Sequence, residues 1–297
     1  MTSLPRHLRL GLLLLPSWIC LAWTIARASW FWNHRPDLEF GWILILLCAF
    51  LTWEAWEQHP AIKPRWSVFS VTLGVAGVAL LWWIQVYQAA FGVNAASMCG
   101  LALACQICIT ANLLHVFGME GVKCFAFGFA FLLIAMPLPS AVQGPLISTL
   151  QGFIASVNVE VLNIIGIPAR RVGSLIQLPS GTVGVDEACS GIRSLQSTVM
   201  ATLFISRLSL QSRGLRGTLF VCGIGLAVFG NVLRSLFLSY TANARGIDAV
   251  NTVHDAAGWS ILAFTAVGVG VLGWFLATME KRMKVLEQER KACLPSV

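Results

Sequence analysis

Charge is what this chain has least of. Only 11% of its 297 residues are Asp, Glu, Lys or Arg, and its mean hydropathy is +0.76, whereas soluble domains carry roughly a quarter charged residues. That excludes a water-solvated globule and makes lipid the solvent. The apolar–polar alternation of barrel strands is missing too, so the backbone has to satisfy its hydrogen bonds within helices. There is no phosphate loop and no dinucleotide fingerprint, no internal repeat and no low-complexity tract. The basic excess, a net charge of +7, forms no face or stripe suited to nucleic acid. It sits between the apolar runs, where it sets orientation in a bilayer.

The nine cysteines are an odd number without a spacing pattern, which excludes a disulfide framework. Cys105 and Cys108 form a CxxC, but the run around them, LALACQICITANLL, offers no second pair. Most of the thiols read as small buried hydrophobes. No His/Cys/Asp/Glu set with ligand spacing appears near Cys189, Arg234 and His254, and neither a metal nor a cofactor is expected. Among the cysteines only Cys189 has polar neighbours.

What the chain does have is long apolar runs. They predict an all-α polytopic membrane protein with about eight spans: Leu10–Ile25, Phe40–Trp53, Val68–Ala90, Ala95–Phe117, Cys124–Leu138, Ser194–Leu210, Gly217–Ser239 and Ala256–Ala277. The first run follows Arg6 and Arg9 and ends near "ARAS", a faint signal-peptide pattern. Its length favours an uncleaved anchor. With the amino terminus inside, the inner segments hold Arg6, Arg9, Lys63, Arg65, Lys123, Arg207, Arg213, Arg216, Lys281, Arg282, Lys284, Arg290 and Lys291. The outer ones hold Arg27, Arg35, Arg170, Arg171, Arg193, Arg234 and Arg245. This bias predicts an N-in, C-in topology. The chain reads as one integral-membrane domain over residues 1–297, with a core at about 137–274 and a charged cytoplasmic tail at 279–297.

Pro137 to Glu187 forms a long outer connection between the fifth and sixth spans. In it Leu146, Leu150, Phe153, Ile154, Val157 and Val161 recur at helical spacing, with Gln151, Ser156, Asn158 and Glu160 interspersed. The pattern predicts an amphipathic helix on the outer interface or a short re-entrant piece. The turn-rich, β-prone stretch GIPARRVGSLIQLPSGTVGV follows and leads into VDEACSGIRS.

Three polar residues from separate spans share one outer depth. Cys189 precedes the first turn of the sixth span, where the helix dipole and unpaired N–H groups favour a thiolate, and Arg193 adds positive charge one turn on. Arg234, in GNVLRSLFLSY, lies inside the seventh span with Asn231 at i−3 on the same face. A guanidinium there faces a protein interior or wet cavity, snorkels to headgroups, or pairs with Asp186, Glu187 or Asp255. His254 opens the eighth span in NTVHDAAGW. Alone it would read as an interface residue; beside a thiol and a guanidinium it suits acyl transfer. The imidazole moves the proton and the arginine steadies an anion.

ACSGIRS at Ala188–Ser194, NVLR at Asn231–Arg234 and HDAAG at His254–Gly258 together resemble the three signature motifs of the exosortase/archaeosortase family. The upstream MPLPS and the turn-rich stretch resemble its lead-in, and the resemblance covers roughly Pro137 to Trp274. It implies a cysteine transpeptidase or protease of the bacterial inner membrane. Its active site would face the periplasm, with Cys189 as nucleophile and Arg234 and His254 as its partners. Ser190, Gly191, Arg193, Asn231 and Asp255 are supporting candidates. Implied substrates are exported proteins ending in a PEP-like motif, a membrane helix and a basic cluster, with a cell-surface acyl acceptor and a link to exopolysaccharide production. Two other readings stand beside it: a non-enzymatic transporter or exopolysaccharide-export component, and a thiol-dependent membrane acyltransferase. Asp186 and Glu187 read as salt-bridge partners of Arg193 or Arg234 rather than catalytic acids.

Overall fold

Prolines and caps set where the helices begin. In the computed structural model, which describes residues 11–57, 64, 67–184 and 192–293, helix α1 (Leu15–His34) starts with a proline in its first turn, where the missing N–H costs nothing. Helix α2 covers Gly41–Glu57. Helix α3 (Val68–Phe91) opens with a reciprocal capping box between Ser67 and Ser70. Helix α4 (Ala95–Phe131) repeats the device with Asn94 and Ser97. Gly92, at φ 76°, ends α3 and lets the chain turn into α4. The two then pack through small residues: a Cβ on Gly77 would lie 2.6 Å from Cys108 Sγ, and one on Gly100 would lie 2.6 Å from Ile84 Cδ1.

Helix α4 is two arms, not one rod. Gly118 breaks it with φ 70° and ψ −163°, a conformation open mainly to glycine. The Cys99 thiol donates to the carbonyl of Pro137 at 3.3 Å. A straight helix would hold positions so far apart in sequence more than about 50 Å apart at about 1.5 Å per residue, so the chain reverses at Gly118. This hairpin matches the separate runs expected at Ala95–Phe117 and Cys124–Leu138. A 3₁₀ turn, Leu132–Ala135, closes the second arm. Its last carbonyl accepts from Nε1 of the fully buried Trp32 at 2.9 Å. Gly41 leaves room for the same indole.

Helix α5 (Ser140–Ile164) occupies the first half of the outer connection. The β-prone stretch after it forms a three-stranded antiparallel sheet of β1 (Arg170–Val172), β2 (Leu175–Leu178) and β3 (Gly181–Gly184) in sequential order. Helices α6 (Ile192–Ser209), α7 (Arg213–Arg245) and α8 (Ile247–Cys293) complete the described residues. The architecture is that of an all-α polytopic membrane protein with one small sheet. By length and composition, α3, α5, α7 and stretches within Ala95–Ala135 and Ile247–Arg290 are apolar enough to cross a bilayer. That capacity in α5 goes beyond the interfacial helix its periodicity predicts.

The chain folds as two compact units, Met1–Gln143 and Gly144–Val297. The first unit holds α1 to α4, with α1 and α2 packed on the arms of α4. In the second, the antiparallel pair α7/α8 is joined by α6. Glycines set the spacing of that pair: a Cβ on Gly230 would lie 3.0 Å from Ile261, and one on Gly268 would lie 2.3 Å from Leu226. Ile176, Leu178 and Val183 of the sheet bury their side chains with Ile154, Ala155 and Leu162 of α5 and Leu238 and Ala242 of α7. The sheet therefore sits at the carboxy-terminal end of α7, beside the start of α8.

The opposite end of this unit is tied by Glu280. Its carboxylate accepts from the backbone N–H of Gln211 at 2.9 Å and of Ser212 at 2.8 Å, which caps α7 where Ser212 itself supplies no side-chain cap. Lys284 Nζ reaches both Glu280 at 3.6 Å and Gln211 Oε1 at 2.6 Å. Glu280 lies past Ala277, where the apolar run ends, and the two backbone donors hold its carboxyl below the ordinary carboxylate range.

Candidate active site

Arg234 stands about three turns before the end of α7 and His254 two turns into α8. The short reversal at Gly246, with φ 86°, brings them together, and Arg234 Nη2 lies 3.1 Å from His254 Nε2. The guanidinium rests on Gly258, one turn along α8, where a Cβ would stand 3.2 Å from Nη2 and 3.5 Å from Cζ. The glycine of HDAAG thus makes room for the arginine of NVLR. Asp255 completes the row, with Oδ1 3.1 Å from His254 Nδ1.

The donor inventory fixes the protons. A guanidinium has only donors, so Nε2 is the acceptor and carries the lone pair. The imidazole hydrogen is then on Nδ1, donated to Asp255. His254 is about one-third exposed, and the Asp255 side chain is 94% exposed, so this carboxylate acts through nearly bulk water and exerts little pull. Arg234 is half-buried. Asn231, one turn earlier on α7, is buried, while Arg193 in the first turn of α6 is exposed.

Of the residues expected from sequence, then, Arg234, His254 and Asp255 converge, Asn231 lies directly below Arg234 on the same helix, and Arg193 faces outward. Cys189, Ser190 and Gly191 lie outside the described residues, as do Asp186 and Glu187. The described chain leads into that segment from β3, ending at Gly184, and leaves it at Ile192. Among the described residues no group of three His, Cys, Asp or Glu side chains is disposed to hold a metal.

Sequence reasoning missed the part played by Asn158. It counted only as a polar residue of an amphipathic helix. In the structure it is fully buried and bridges α5 to the backbone of α7 around Arg234. An uncharged amide among apolar neighbours carries no signal of such a contact.

A family model described as transmembrane exosortase matches residues 32–271 of the chain. No curated protein and no solved structure matches it.

Proposed function

The chain belongs to the transmembrane exosortase family, whose membership supports a membrane transpeptidase or protease role, and from that premise we propose that it cleaves carboxy-terminal sorting signals of exported proteins through an acyl-enzyme on Cys189. The observation that carries this reading is the contact between Arg234 Nη2 and His254 Nε2. It joins two of the three motif residues from separate helices, in the chemistry that a thiol nucleophile requires.

The proton arrangement gives the steps an order. While Nε2 accepts from Arg234 it cannot take a proton from a thiol. That bond therefore opens first; Nε2 then takes the Cys189 proton and becomes a donor, which keeps the guanidinium from returning to it. Arg234 is then free to pair with the thiolate just formed. The thiolate attacks the scissile carbonyl, and Arg234 stabilises the oxyanion of the tetrahedral intermediate. Collapse passes the Nε2 proton to the leaving amine and leaves a thioester. An acceptor nucleophile then attacks the thioester carbonyl, gives its proton to His254 and restores the thiol.

In this proposal the substrate ends in a PEP-like motif, a membrane helix and a basic cluster. The chain lies N-in and C-in in a bacterial inner membrane, and the site faces the periplasm, where an acceptor linked to exopolysaccharide or the cell surface takes the acyl group. The test is trapping: a reporter bearing such a tail, incubated with the full-length protein and quenched in acid, should yield a covalent adduct on Cys189 by mass spectrometry. Turnover of the reporter with no adduct, and with Cys189→Ser as fast as the native protein, would sink the proposal. Absence of both turnover and adduct with every such tail would contradict it as well.

A further inference from the structure

From the network at its side chain, we infer that Asn158 of α5 is a positioning residue for Arg234. Asn158 is 0% exposed. Its Nδ2 donates to the carbonyl of Val232 at 3.2 Å, while its Oδ1 accepts from Ser235 Oγ at 2.7 Å and from the backbone N–H of Leu236 at 3.3 Å. The partners fix the amide orientation, since a carbonyl can only accept and an N–H can only donate. One side chain thus grips the turn of α7 from residue 232 to 236, with Arg234 at its middle.

Helix geometry puts the grip behind the arginine. At about 100° per residue, Val232, Ser235 and Leu236 share one side of α7, and Arg234 projects roughly 150° away from it, toward Gly258 and His254 on α8. Helix α7 is therefore held between an amide on one side and the Arg234–His254 contact on the other. Apolar packing alone leaves a helix free to slide or rotate by small amounts, because apolar contacts carry no direction. Three directed bonds from one fully buried side chain fix both depth and rotation. The neighbouring contacts of α5 with α7 are apolar, through Ile154, Ala155, Leu162, Leu238 and Ala242. The guanidinium needs that fixity, since it lies so close to Gly258 that a Cβ there would stand 3.2 Å from Nη2, and its hydrogen bond spans 3.1 Å. Asn158 touches no reacting atom and acts through the backbone of α7.

The positioning role rests on the reading of Arg234 as the cation of a thiol enzyme, but its test does not depend on turnover. In full-length protein labelled with ¹⁵N-histidine, the Nε2 resonance of His254 reports the bond from Arg234. Asn158→Leu, close in volume and unable to hydrogen-bond, should move that resonance toward its position in Arg234→Ala. Ser235→Ala, which removes one of the three bonds, should move it part of the way. Reporter cleavage by Asn158→Leu should fall at least about tenfold in kcat, with KM within about twofold, because a displaced catalytic group costs rate more than binding. A folded Asn158→Leu protein with an unmoved His254 resonance and native kcat would overturn the positioning role alone. Native cleavage by Arg234→Ala would overturn the enzymatic reading while leaving the resonance test standing.

Discussion

Arg234 Nη2 donates to His254 Nε2 across 3.1 Å, from one helix to the next. In the proposed mechanism this bond occupies the lone pair of Nε2 and opens before the thiol proton is taken. Lysine in place of Arg234 keeps the charge but loses the planar fork that reaches Nε2 while resting on Gly258. Arg234→Lys should therefore reduce kcat/KM by about 100-fold or more, measured on a sorting-signal reporter in membranes. Activity within about threefold of native would mean that a point charge suffices.

Gly258 separates stability from catalysis. In a helix interior, Gly→Ala normally stabilises by about 1 kcal/mol. Here the new Cβ would stand 3.2 Å from Nη2 of Arg234, so the guanidinium has to shift by a few tenths of an ångström. Gly258→Ala should leave the thermal midpoint unchanged or raised, and lower cleavage by about tenfold or more. Unfolding in detergent and reporter cleavage, measured on the same preparation, check both halves.

Asp255 gives the opposite case. Its carboxylate meets His254 Nδ1 at 3.1 Å, yet its side chain is 94% exposed, and an exposed pair contributes about 1 kcal/mol or less. Asp255→Asn, which keeps an oxygen to accept from Nδ1, should lower kcat/KM by about fivefold or less. A loss as large as that of His254→Ala would make Asp255 a full member of the site.

Glu280 ties the far end of the unit, and its effect depends on pH. Its folded-state pKa is lowered by the N–H groups of Gln211 and Ser212, so the stabilisation is fully present above the unfolded-state value. It is lost as pH falls through the lower, folded-state value. Glu280→Gln should lower stability by about 1–2 kcal/mol at neutral pH, and the gap to native protein should close in acid. Chemical unfolding at neutral and acidic pH measures it. A gap that widens in acid would contradict the assignment.

Much of this was legible in the residues. Apolar run length placed the helices because lipid leaves the backbone no other partner, and the break between the runs ending at Phe117 and starting at Cys124, with Lys123 between them, marked the reversal in α4. The stretch before Cys189 read as β-prone and forms β1 to β3, since its turn residues recur every few positions. Arg234 and His254 stood out because a charge in an apolar helix requires a reason. The packing of α5 was not legible, because helical spacing says which face is apolar and not what covers it. Nor was the bond between Asn158 and α7, which joins positions more than seventy apart through backbone groups that every sequence shares.

The central claim is that Cys189 is the nucleophile served by Arg234 and His254. The most direct measurement is in vivo processing of an exported reporter ending in a PEP-like motif, an apolar helix and arginines, in cells carrying native protein, Cys189→Ala, Arg234→Ala or His254→Ala at equal abundance. The account predicts cleaved reporter only with the native protein. The uncut form should accumulate with each variant, with rates reduced by at least about 100-fold. Normal processing by Cys189→Ala would contradict it.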